Sequence, residues 1–279
     1  MGDFYPDTDD NVTTDAPVRR RVGHEIELSG DEDFPDALGE ADLVPSEVPA
    51  FGGDCYDPWG HGCAGCYRCE ADDSALHESG CRCSLQDDYP LHATDDCSAE
   101  AGEILIGGSK GVLFGSPRYY EAVRVLCDFA PNHNVFPDEE VGGHVHVELP
   151  PRRHPNTRIF QLCARFEDDL WTLAALDSEY LRSNDHTVTD RGVRLGGRGW
   201  NTTVIRPDTS HGTCEFRFWN STLNPAMMIM SAGVSVGIIE AVLNGNRDDT
   251  LLGTIAPYLT PAVLDTATTL LHRNEAIAA

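Results

Sequence analysis

Alternating apolar and polar positions mark the first element, a strand over 20–28, Arg20-Arg-Val-Gly-His-Glu-Ile-Glu-Leu28. Alternation puts Val22, His24, Ile26 and Leu28 on one face and Gly23, Glu25 and Glu27 on the other. A short strand is expected at 102–106 and a clear alternating one at 143–149. Residues 117–129 have helical periodicity with Pro117 at the start. Ile159, Leu162, Cys163, Phe166, Leu170, Leu173 and Leu176 recur at spacings of three and four, which predicts one long helix over 155–182. A Gly/Arg-rich loop at 191–198 then leads to a strand at 201–206. This joins a hairpin partner at 213–219 through the turn-rich 207–212. A buried helix rich in Met, Gly, Ala and Ser follows at 225–243, and an amphipathic helix at 261–276. Residues 1–19, acidic and without an apolar run, read as a flexible lead-in, and 29–53 as loop. Strands interspersed with helices, several hairpin-like, point to an α+β fold with a mostly antiparallel sheet, and 20–279 reads as a single domain.

Composition narrows the function classes. The 279 residues carry 46 Asp and Glu against 20 Lys and Arg, a formal net charge of −26. Such a surface repels nucleic-acid phosphates and anionic membranes, so neither is an expected partner. Only one of the basic residues is Lys (Lys110), and Asp outnumbers Glu 28 to 18. Short carboxylates bind water and cations tightly, and at molar salt the Debye length of about 3 Å screens their repulsion. This composition matches proteins adapted to high salt and points to a halophilic source, with an ordinary acidic protein as the alternative. The first residues lack the apolar core of a signal peptide. The longest apolar stretch, 226–239, is shorter than the ~20 residues that span a bilayer. The expectation is a cytoplasmic protein.

Seven of the ten cysteines lie between 54 and 97. Cys63-x2-Cys66-x2-Cys69 has the tight spacing that lets thiolates surround one ion, and Cys81-x-Cys83 could complete the shell. Structural Zn²⁺ is the leading reading of this insertion, since an ion would fold a segment too polar for its own core. Disulfides, free thiols or an iron–sulfur cluster are the alternatives. Cys127, Cys163 and Cys214 stand alone and read as small buried apolar residues.

Candidate chemistry sits on the strands. Glu25 and Glu27 share a face, and like charges this close repel unless a cation lies between them. Mg²⁺ or Mn²⁺ suits oxygen ligands, although a solvated acidic strand would look the same. His144 and His146 repeat the spacing after Gly142-Gly143 and could ligate a metal, meet a phosphate or simply line a sheet surface. Glu103 precedes the apolar run 104–106, where an unpaired carboxylate is costly. Glu215 and Arg217 share one face and could form a structural ion pair, or divide the binding of a metal and a phosphate between them. No GxxxxGK[ST], GxGxxG or GxSxG motif is present, which argues against P-loop, Rossmann and α/β-hydrolase chemistry.

The ordered set Gly23-His-Glu25-Ile-Glu27, Asp96-Cys-Ser98 with Gly102-Glu103-Ile-Leu, Gly142-Gly-His144-Val-His146-Val, Trp200-Asn201-Thr, Thr213-Cys-Glu215-Phe-Arg217-Phe and Ser221-Thr-Leu resembles the amidoligase family. That family belongs to the carboxylate-amine ligase superfamily, with glutamine synthetase and the glutamate-cysteine ligases. The resemblance covers roughly 20–245 outside the Cys-rich insertion. It implies a curved, mainly antiparallel half-barrel with helices on its convex face. The activity it implies is ATP-dependent amide formation through an acyl phosphate, with Mg²⁺ or Mn²⁺ and with a carboxylate and an amine as substrates. It further implies that Glu25, Glu27, Glu103, Glu215 and His144 hold metal, and that His146 contacts ATP phosphate. Arg217 and Arg206 would stabilise the transferring phosphoryl group, Asn201 would orient substrate and bind the nucleotide, and Arg198 would sit on a loop able to close. Cys97, where the family often has Gly, and His24 inside the Glu pair depart from the pattern. A metal-dependent amide hydrolase using His144 and His146, phosphoryl transfer to a guanidino-type acceptor, and a non-catalytic zinc-binding interaction protein are the other readings.

Overall fold

A computed structural model describes residues 14–41, 43, 91–94, 101–107, 111–137, 141–150, 155–174, 186–189, 192–195, 205–208 and 212–278. Its centre is an antiparallel sheet built from β1 (Arg21–Glu27), β3 (Leu91–Thr94), β4 (Glu103–Ile106), β7 (Gly142–Glu148), β10 (Ile205–Asp208) and β11 (Thr213–Asn220). The order is β10-β11-β7-β1-β4-β3, with β5 (Val112–Leu113) also paired to β1. The sheet is open, with β10 and β3 as its edges among the described residues. Two small pairs stand apart: β2 (Ser29–Gly30) with β6 (Val135–Phe136), and β8 (His186–Thr189) with β9 (Gly192–Leu195).

Register decides what each face carries. Val22, His24 and Ile26 pair with residues such as Val147, Val145 and Ile104, giving a nearly continuous apolar face. Glu25 and Glu27 pair with His144 and Glu103, and His146 with Glu215, giving a polar face. The helices cover the apolar face. α2 (Pro117–Phe129) starts at Ser116, whose hydroxyl caps the Tyr119 amide. It buries Tyr119, Ala122, Val123, Leu126 and Cys127, the i, i+3, i+4, i+7, i+8 stripe of an amphipathic helix. The Tyr119 hydroxyl sits 3.0 Å from His24 Nε2, which satisfies the one polar side chain of β1 on that side.

α5 (Pro225–Asn244) is the core helix. Asn224 caps it, accepting from the amides of Ala226 and Met227, and Gly245 ends it at φ 72°. Met228 and every residue from Met230 to Val242 are buried. Trp219 of β11 donates to Ser235 of this helix at 3.0 Å, which fixes helix to sheet. On its other side lies α7 (Pro261–Ala278), preceded by the short α6 (Leu251–Ile255). The small residues of α5 are the reason these elements approach so closely. A Cβ on Gly233 would stand 2.7 and 2.8 Å from the two methyls of Val263, and one on Gly237 2.9 Å from Leu259. Counted to Asn244, α5 is long and apolar enough to cross a bilayer, so the length argument drawn from 226–239 fails. What this helix does instead is bury its sides in the fold.

Several expectations need correction. Where it is described, over 155–174, the long helix expected at 155–182 is two helices, α3 (Asn156–Arg165) and α4 (Glu167–Leu173), broken at Phe166, whose ψ of 32° leaves the helical region. The loop at 29–53 contains α1 (Phe34–Glu40), which buries Phe34 and Leu38. The Gly/Arg-rich 191–198 contributes β9. Within the segment 54–97 read as the Cys-rich insertion, Leu91–Thr94 form β3, at the edge of the sheet among the described residues. Of the strand expected at 201–206, residues 201–204 lie outside the described residues, and β10 extends past its expected end to Asp208. Thr14 and Asp15, read as part of the lead-in, are anchored: Thr14 donates to the Phe114 carbonyl at 2.7 Å and Asp15 accepts from Tyr120 at 2.7 Å. Cys127, Cys163 and Cys214 are free and buried, as expected.

Candidate metal centre on the polar face

Four strands deliver one buried cluster. β1 supplies Glu25 and Glu27, β4 Glu103, β7 His144 and His146, and β11 Glu215. All six residues are at most 6 % exposed. Their spacing follows from strand geometry: residues two apart share a face, and directly opposed residues stand side by side.

Glu25 is the hub. Its Oε2 lies 2.8 Å from His144 Nδ1, and its Oε1 lies 2.8 Å from His146 Nε2. Burial on its own would raise the Glu25 carboxyl. The charge and hydrogen bonding of His146 and His144 more than reverse this and hold it well below the ordinary range. Glu215 Oε1 stands 3.8 Å from His144 Nδ1 and 3.9 Å from His146 Nε2. Glu27 Oε1 stands 3.7 Å from His144 Nε2, while its Oε2 accepts the Gly142 amide at 2.7 Å. Glu103 lies directly across the ladder from Glu27.

Glu25, His146 and Glu215 offer ligand atoms that all lie within 4.8 Å of one another, and all three residues are buried. Two carboxylates and an imidazole at that spacing can hold a divalent cation. The charges point the same way. Among the described side chains, four carboxylates out of water gather with two imidazoles and the Arg217 guanidinium, and a cation between the carboxylates would relieve their repulsion. His146 therefore stands among the groups able to reach a cation directly, where the sequence resemblance makes it a phosphate contact. His144 bridges Glu25 and Glu27 beside it.

Arg217 is an ion-pair partner of Glu215 Oε1. It stays on the polar face because it sits two residues along β11. Immediately after it the strand bulges: Phe216 pairs with Val145 but Trp219, rather than Phe218, pairs with Gly143. The extra residue swings Trp219 onto the helix-covered face. Arg206 lies opposite Glu215 in the β10–β11 ladder. Arg198, Asn201 and the cysteines Cys63, Cys66, Cys69, Cys81 and Cys83 lie outside the described residues.

Two supporting contacts had no distinct sequence signal. The Gly142 amide and the Ser221 hydroxyl both bind Glu27, the first at its carboxylate and the second at its main-chain carbonyl, 2.5 Å away. Gly143 makes this possible, since a Cβ there would stand 2.8 Å from the Asn220 carbonyl oxygen. His24 faces away from the cluster. Burial, reinforced by the charge of His146, pushes its imidazole down to about 3, so it is neutral at ordinary pH.

Neither protein-family models nor curated proteins give a match to this chain.

Proposed function

We propose that the chain is an ATP-dependent carboxylate-amine ligase that forms an amide bond through an acyl phosphate. One observation carries the reading: four strands bring Glu25, Glu27, Glu103, His144, His146 and Glu215 into one buried cluster on a face whose reverse is sealed by helices. The finer architecture that goes with it is a half-barrel with this face concave and the helices on the convex side. The order of motifs along the chain adds support, because each described motif that resembles the amidoligase pattern falls on a strand of this face or, for Ser221-Thr-Leu, directly after one.

Glu25, His146 and Glu215 would hold Mg²⁺ or Mn²⁺, with Glu27, Glu103 and His144 beside them. A bound divalent cation neutralises triphosphate charge and orients the γ-phosphate. In the reaction a substrate carboxylate oxygen attacks the γ-phosphorus, ADP leaves, and an amine then displaces phosphate from the acyl carbon. Arg217 and Arg206 supply positive charge for the phosphoryl group, Asn201 orients substrate, and Arg198 closes over the site. The Cys-rich insertion, with Cys63, Cys66, Cys69, Cys81 and Cys83, would carry structural Zn²⁺.

ADP release measured against panels of carboxylates and amines tests the proposal. Release should require both substrates and Mg²⁺, and Glu25→Ala should abolish it. Full turnover in that variant would remove the cation from the mechanism.

The compactness of the Glu25–His146–Glu215 group favours one second reading, a single-cation amide hydrolase. Amide cleavage without nucleotide would select it.

A further inference from the structure

The oxygen of Glu215 that faces the two imidazoles is the same oxygen that Arg217 holds. Oε1 is 3.8 Å from His144 Nδ1 and 3.9 Å from His146 Nε2, and Arg217 Nη1 pairs with it from the other side. Glu215 is buried, whereas the Arg217 side chain is 27 % exposed. A guanidinium at the rim therefore neutralises a carboxylate of the interior cluster.

We propose that Arg217 is a placeholder for the cation, so that cation binding and oxyanion binding are coupled through Glu215 Oε1. This rests on the cation-centre reading above and adds a coupling to it. A divalent ion drawn to Glu25, His146 and Glu215 competes with the guanidinium for the same lone pairs and repels its charge. Arg217 then turns its donors outward, where it meets solvent and an arriving oxyanion, a phosphate or a carboxylate. Before the cation arrives Nη1 is engaged by Glu215, which weakens the guanidinium's hold on an anion. Linkage makes the effect reciprocal: an oxyanion that draws Arg217 away frees Oε1 and tightens the cation by the same factor. In the full reaction cation and anion would each tighten the other's binding, whichever arrives first.

The test is Mn²⁺ titration of the full chain, read by water-proton relaxation. Wild type, Arg217→Ala, Arg217→Gln and Glu25→Gln are compared at fixed ionic strength, with inorganic phosphate, acetate or chloride as the anion. Arg217→Ala and Arg217→Gln should each bind Mn²⁺ about five-fold or more tightly than wild type. Phosphate or acetate should tighten Mn²⁺ in wild type but not in either Arg217 variant, and whichever acts names the anion class. If Glu25→Gln loses Mn²⁺ while the Arg217 variants bind it no more tightly than wild type, the centre stands and the coupling is refuted. If wild type binds no Mn²⁺, both fall. Should Arg217→Ala misfold by circular dichroism, Arg217→Gln decides alone.

Discussion

Ser221 donates its hydroxyl to the main-chain carbonyl of Glu27 at 2.5 Å, across 194 positions of sequence. Ser221 follows directly on β11 and Glu27 ends β1, with β7 between those strands in the sheet. The contact closes one end of the β11–β7–β1 unit, which carries every residue of the cluster but Glu103. Ser221→Ala leaves a buried carbonyl without this donor and should cost about 1–2 kcal/mol in denaturant unfolding. Gly143→Ala attacks the same junction from β7 and should cost about 1–3 kcal/mol, because its Cβ meets backbone rather than a side chain that can turn aside. A Ser221→Ala protein as stable as wild type would show that the contact contributes nothing.

The two histidines of β7 should separate in a metal titration. His146 belongs to the tight group with Glu25 and Glu215, whereas His144 braces Glu25 and Glu27. His146→Ala should weaken Mn²⁺ binding by roughly 100-fold or more, and His144→Ala by about 10-fold, the usual cost of losing a group that orients a ligand. Calorimetric titration reads both, and the reverse order would return the ligand role to His144.

His24 predicts an acid-side loss of stability. Its folded value, about 3, lies below the ordinary 6.5, so the unfolded chain takes up its proton first as pH falls. The full contribution is present above pH 6.5 and declines from there toward pH 3. The slope is about 1.4 kcal/mol per pH unit, or about 2 kcal/mol by pH 5. His24→Gln retains a polar partner for Tyr119 and removes the titration. Urea midpoints at pH 7 and pH 5 should therefore diverge less in the variant than in wild type, and equal divergence would contradict the assignment.

Gly233 tests the packing of α5 against α7. Alanine in a helix interior gains about 1 kcal/mol over glycine. Here its Cβ would press on both methyls of Val263 and approach Phe114, so rotating Val263 offers no escape. Overpacking costs about 1–3 kcal/mol, and Gly233→Ala should lower the melting temperature. Gly39, with open space around its Cβ position, is the control: Gly39→Ala should be neutral or stabilising.

Local pattern determined the parts of this protein that obey a period. Strand β1, strand β7, helix α2 and helix α5 were legible because burial on one or both sides leaves a period-2 or period-3.6 signature, or a continuous apolar run. The same alternation placed Glu25 with Glu27, His144 with His146, and Glu215 with Arg217. Tertiary structure decided everything that depends on which strand neighbours which. Only register sets His144 opposite Glu25 and Glu215 opposite His146. Only packing breaks the helix at Phe166 and turns Trp219 inward through a bulge, since neither changes the local hydrophobic count. Sequence names the ligand types a strand can present. The distances that make three of them one cation site come from pairing β1 with β7 and β7 with β11, strands far apart in the sequence, a long-range event that no window of the chain contains.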